Sequence, residues 1–188
     1  LGHPYELTSV TEGWEPNLAL CQKKLAPLGI TVKYYDSEKG MPLPFPDDSF
    51  DLVIDRHESY DLSEVRRVLK KNGFFVTQQV GGENDLPLVK RLCQGFLGSF
   101  VGFNLENELP RFRQAGFRVM RSDQAYVESR YLDVGAVVFQ ASVCPWEYPG
   151  FSVETSQEAL FQMQAQVESL GFVPNLEHRF LIVAKNRK

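Results

Sequence analysis

Three stretches of this chain close alike. ELTSVTE ends on Glu12, GITVKYYD on Asp36 and FDLVID on Asp55. Each is a β-rich run of about one strand's length. Helical spacing follows the first, at Leu18, Cys21, Leu25 and Leu28, and returns after the third, at Leu62, Val65 and Leu69. FDLVID is a short, largely apolar run, the pattern of a parallel strand covered on both faces. Strands alternating with helices specify an α/β fold with a mostly parallel sheet.

The alternation runs to the end of the chain. Tyr5 to Thr11 reads as the first strand, and MPLPFPDDS, with three prolines and an acidic turn, as loop. Asn72-Gly73 has the form of a C-cap for the helix of Leu62, Val65 and Leu69. FFVTQQV is the next buried strand, broken by Gly81-Gly82. Helices are expected around Leu88, Leu92 and Phe96 and from Asn107 to Ala115, with Pro110 tolerated in the first turn of the second. GFRVMRSDQAYVES is a long strand and DVGAVVFQASVCP an apolar helix stopped by Pro145. Glu158 to Leu170 carries Leu160, Met163, Val167 and Leu170 on one stripe, and HRFLIVAKN is the closing strand.

The chain of 188 residues, without repeats or linkers, reads as one domain spanning 1–188. The net charge of -4 gives no reason to expect nucleic acid or an anionic membrane as partner. No apolar run reaches the roughly 20 residues of a membrane span, and the first residues do not read as a signal peptide. Cys21, Cys93 and Cys144 are far apart and lack CxxC spacing, which suits reduced thiols in a cytoplasmic protein. His3, His57 and His178 are equally scattered, so a metal site is not expected.

In open α/β sheets ligands bind at the carboxyl ends of the strands. Glu12, Asp36, Asp55 and the Gln78-Gln79 pair all stand at such ends. The simple reading of Glu12 is an acid favoured by the start of the next helix. The functional reading is a carboxylate gripping a ribose. Three carboxylates around one crevice would repel one another, and a polar ligand with several donors is one way to justify them.

The order VTEGWEPN, YYDSEKGMPLPFPDDSFDLVIDRH, EVRRVLKKNGFFVTQQVGG resembles the class I S-adenosylmethionine-dependent methyltransferases. More narrowly it resembles a small bacterial branch that continues with a PWEYPGFS segment and ends in HRFLIVAKN. The resemblance spans essentially the whole chain, and LPFPDDSFDLV followed by EVRRVLKKNGFF is its most specific part. It implies a Rossmann-like sandwich whose last strand is antiparallel, with S-adenosylmethionine as cofactor. It implies that Glu12 takes the ribose hydroxyls, with Gly13 and Trp14 near the adenine. Asp36 would accept from the adenine amino group beside Ser37, and Asp55, Arg56 and His57 would pass under the methionine part. His57, Asp55 and Tyr60 are candidates for a general base by position alone.

The family's glycine-rich loop and the strand before it have no counterpart upstream of Glu12, where Leu1, Gly2 and His3 resemble the tail of the helix that follows that loop. Extra N-terminal residues are therefore expected, detectable by intact mass. The other way to fill the gap is a strand from another copy in a homodimer. The acceptor is expected to be a small molecule, with residues 133–156 either a packed crossover or a cap over it, since aromatics line cores and pockets alike. Two alternatives remain at this level. One is a nicotinamide-dependent oxidoreductase, opposed by the acid closing the third strand and by the terminal strand pair. The other is a non-catalytic binding or scaffold protein.

Overall fold

The computed structural model describes residues 4–96 and 98–188. In chain order they form β1 (Ser9–Glu12), α1 (Glu15–Leu25), β2 (Thr31–Tyr34), β3 (Phe50–Arg56), α2 (Leu62–Val68) and β4 (Leu69–Val80). These are followed by α3 (Leu86–Leu92), α4 (Leu105–Gln114), β5 (Phe117–Tyr131), α5 (Val134–Val143), α6 (Gln157–Leu170) and β6 (Val173–Asn186). The fold is α/β and mostly parallel, as the alternation requires. Leu1, Gly2 and His3, read above as a helix tail, lie outside the described residues.

Strands β1 and β2 pair in parallel, from Ser9 opposite Thr31 to Glu12 opposite Tyr34, as a sheet of their own. The other four strands form a second sheet in the order β3-β4-β6-β5. This explains one departure from expectation. FDLVID is a strand, but β3 is an edge strand, so Leu52 is 50% and Ile54 68% exposed. The apolar pattern is that of a covered strand, and among the described residues no strand joins β1 to β3.

The chain divides into two compact units. The first combines the N-terminal region up to Val76 with Phe112–Arg118 and Ala184–Lys188. The second combines Thr77–Arg111 with Val119–Val183.

The core of the first unit is built on α2, which buries Leu62, Val65 and Val68 and is followed directly by the fully buried Leu69. Phe75, Phe112 and Phe117 pack beside it, with Phe75 and Phe112 stacked at 5.7 Å and Tyr60 edge-on to both. Helix α2 ends at Val68, four residues before the Asn72-Gly73 signal, which lies inside β4 instead. Its last carbonyls find other partners. The buried Asn186 amide donates to Arg66 O and Leu69 O, and Lys188 Nζ donates to Arg67 O and Leu69 O. A helix end satisfied from the far end of the chain needs no glycine cap.

The proline-rich loop is held just as firmly. Arg67 donates to Leu43 O, Phe45 O and the Asp47 and Glu64 carboxylates, while Glu64 accepts from the Leu43 N–H. This clamp fixes the chain at the entry to β3.

The second unit packs Leu88, Val89 and Leu92 of α3, Val137 and Ala141 of α5 and Leu160 and Met163 of α6 with Tyr148 and Val173. The segment 133–156 is thus anchored in the core through α5 and Tyr148, while Phe139 and Trp146 stand 67% and 56% exposed. Pro110 is not in the first turn of its helix. Helix α4 starts at Leu105, so the proline sits one turn further in, where it withholds one backbone donor.

Candidate active site

The carboxyl ends of β1 and β2 are side by side. Glu12 pairs opposite Tyr34, and the Tyr35 N–H donates to Glu12 O at 3.2 Å. The next turn brings Gly13 against Asp36. A methyl group on Gly13 would stand 2.8 Å from Tyr35 O and 3.5 Å from Asp36 Cα, so no side chain fits between the strand ends. Gly13→Ala is expected to push the two ends apart and to destabilise the first unit by about 1–3 kcal/mol, the usual consequence of overpacking. A urea midpoint equal to that of the native chain would show that the turn gives way freely.

Each acid at these ends already serves its own turn. Glu12 Oε1 accepts from the Trp14 N–H at 2.8 Å, just ahead of α1. Asp36 accepts from the Glu38 N–H at 3.1 Å and pairs with Lys39 Nζ at 3.1 Å, and the Lys39 ammonium holds its carboxyl below the usual range. These contacts are the simple reading made for Glu12 and its counterpart at Asp36. They do not exhaust the carboxylates, since each oxygen has two lone pairs. Trp14 is 64% exposed beside Gly13.

Ser37 Oγ meets Ser59 Oγ, tying the turn after β2 to the loop after β3, which His57 opens behind Asp55 and Arg56 at the strand's end. Asp55 and Asp36 both lie close enough to Tyr35 to raise its phenol pKa, after the larger effects of burial and of Asp61 and Glu64. Asp36 and Asp55, from the ends of two strands, thus act on one phenol. His57 adopts a left-handed backbone at φ 60°, rare for a residue with a side chain. Tyr60 is held by the Phe75 and Phe112 rings. The fourth strand-end position differs: Gln79 belongs to the second unit, is 3% exposed and donates to Thr77 Oγ1 at 2.7 Å.

One polar group had no mark in the sequence reading. Asp85, 3% exposed, lies in the second unit with Asn84, Glu147 and Asn175. Asp85 begins α3 in a left-handed conformation at φ 54°. Glu147 and Asn175 come from two other chain segments, which no local pattern connects.

The mostly parallel α/β arrangement is the Rossmann-like fold of the methyltransferases. Residues 6–77 match the family model described as "Methyltransferase domain", covering β1 through most of β4. No curated protein matches the chain in sequence. Solved structures similar to it include a Bacillus halodurans protein assigned as a methyltransferase. The two share 16% identity and a TM-score of 0.62, over 96% of this chain and 83% of that one. A geranyl diphosphate methyltransferase in complex with S-adenosylmethionine aligns at 11% identity and a TM-score of 0.53, over 95% and 68% of the two chains. The [4+2]-cyclase SpnF aligns at 13% identity and a TM-score of 0.53, over 95% and 65%. At these identities the likeness is one of fold. The matches lend no support to the nicotinamide-dependent alternative.

Proposed function

We propose that this chain binds S-adenosylmethionine at the ends of β1 and β2 and transfers its methyl group to a small-molecule acceptor. The observation that carries the reading is the contact of Gly13 with Asp36, which brings the Glu12 and Asp36 turns together on adjacent parallel strands. The donor set suits an adenosine. Glu12 spends one oxygen on Trp14 N–H and keeps acceptor capacity for ribose hydroxyls, and Asp36 is held ionised by Lys39 as an acceptor for the adenine amino group. The exposed Trp14 indole stands next to Gly13, where a flat base can lie against it.

The cofactor supplies an activated methyl group on a sulfonium, a good leaving group. The protein's part is then to position and desolvate. Asp55 and Arg56 end β3 and His57 follows it, all within the same unit, and these are the residues of this chain we assign to the methionine end. His57 and Asp55 are the candidates there for taking a proton from an acceptor, with Tyr60 next along the chain.

Calorimetric titration of the full-length protein with S-adenosylhomocysteine and with NAD tests the reading. Binding of the first alone is expected, and binding of neither supports a scaffold. Glu12→Ala is expected to weaken S-adenosylhomocysteine by about 1–3 kcal/mol, the scale of a lost hydrogen bond to a charged group. Unchanged affinity would remove Glu12 from the site.

A further inference from the structure

The turn after β2 folds a cation back onto the strand end. Asp36 Oδ1 accepts from the Glu38 N–H at 3.1 Å and so caps a single helical turn, Ser37–Lys39. Gly40 closes that turn with a left-handed φ of 63°, a conformation that costs glycine nothing. Lys39 is thereby carried back over Tyr34, the last residue of β2. Its Nζ stands 3.1 Å from Asp36 Oδ2, 2.6 Å from the Tyr34 hydroxyl and 5.3 Å from the centre of the Tyr34 ring.

An ammonium carries three N–H donors. Lys39 spends one on Tyr34 and one on Asp36, and the third makes no hydrogen bond among the described residues, on a side chain 61% exposed. An ionised carboxylate has about four lone-pair positions. On Asp36 the Glu38 N–H, Lys39 and, at 3.5 Å, the Tyr34 hydroxyl occupy three of them. One acceptor position thus remains beside one donor, where the Gly13 turn meets Asp36. As an exposed ion pair, Lys39 and Asp36 add little to stability. Their use lies in the donor and acceptor they hold side by side.

An adenine base carries the complementary pair. Along its Watson–Crick edge the 6-amino group donates and the neighbouring ring nitrogen, N1, accepts. We propose that Lys39 is a second base-reading residue, whose free N–H donates to adenine N1 while the Asp36 carboxylate accepts from the 6-amino group. This inference rests on the cofactor reading of the preceding subsection and adds to it a residue that lies beyond the strand end. The Tyr34 hydroxyl first, and Asp36 second, keep the ammonium protonated by raising it above the usual lysine range.

The test uses S-adenosylhomocysteine and its 1-deaza analogue, in which C–H replaces N1 and the 6-amino group is retained. Both are titrated calorimetrically into the full-length chain and into its Lys39→Met variant. The native chain is expected to bind the analogue about fivefold to tenfold more weakly, the effect of one lost hydrogen bond to a partly exposed charged group. Lys39→Met is expected to bind the two ligands within about twofold of each other, because neither complex then has the donor. Freeing Asp36 weakens both ligands in the variant, but that loss is common to them and cancels in the ratio. Glu12→Ala, on the ribose side, should weaken both and keep the native ratio.

A native ratio under about threefold overturns the proposal. So does a ratio in Lys39→Met as large as the native one, which would leave Lys39 a partner of Asp36 and no reader of the base. If the variant binds neither ligand, the native ratio decides alone. In each of these outcomes the native chain binds S-adenosylhomocysteine, and the cofactor reading stands. If the native chain does not bind S-adenosylhomocysteine, the cofactor reading falls and the role of Lys39 falls with it.

Discussion

Phe112→Ala is expected to destabilise the first unit by about 3–5 kcal/mol, the range for emptying a buried aromatic site. Phe112 is fully buried and touches three other rings, stacked on Phe75 at 5.7 Å and near Tyr60 and Phe117 at 5.8 Å each. Those partners come from a helix-flanking loop and from strands, so the cavity has no single flexible wall to close it. The effect should extend to the candidate site, because Tyr60 lies on the loop that His57 opens at the end of β3. Urea unfolding measures the first effect and S-adenosylhomocysteine affinity the second. A loss of stability below about 1 kcal/mol would mean that the four rings are not a packed cluster in solution.

Glu147→Gln is expected to change the pH dependence of stability. In the folded chain the Glu147 carboxyl is raised from 4.5 to about 7, by burial first and Asp85 second. An acid with a raised folded pKa favours the folded state fully below its unfolded pKa. That contribution is lost as pH rises from about 4.5 to about 7. Glutamine is neutral throughout and preserves an oxygen for Asn84. The variant should therefore match the native chain near pH 4 and exceed it at about pH 8, by about 1–2 kcal/mol once solvent screening of a half-buried carboxyl is allowed for. Thermal unfolding of both chains at the two pH values provides the comparison. Equal stability at the higher pH would show that the pair is already solvated or neutralised.

Much of the fold was legible because its signals are local. FFVTQQV, GITVKYYD and the stripe of Leu160, Met163 and Val167 carry their period within a few residues, and β4, β2 and α6 stand where that period puts them. The acids closing β1, β2 and β3 were legible for the same reason, since a strand end and its turn are adjacent in sequence.

What escaped depended on partners distant along the chain. Asn72-Gly73 has the form of a helix stop, yet Asn186 and Lys188 close α2 earlier from about 120 residues away, and no window of sequence contains both. FDLVID has the composition of a covered strand, but exposure follows from neighbours, and an edge strand has one neighbour fewer. Asp85 and Glu147 are 62 positions apart and each looks like an ordinary surface acid, until the packing of α3, α5 and β6 encloses them near Arg179, a cation already paired with Glu177. The sequence alone determined which segments become strands and helices and which acids stand at strand ends, because hydrophobic period and turn chemistry act over a few bonds. The tertiary structure decided which of those acids are buried, shared or screened, because the electrostatic free energy of a carboxylate depends on whatever the rest of the chain folds around it.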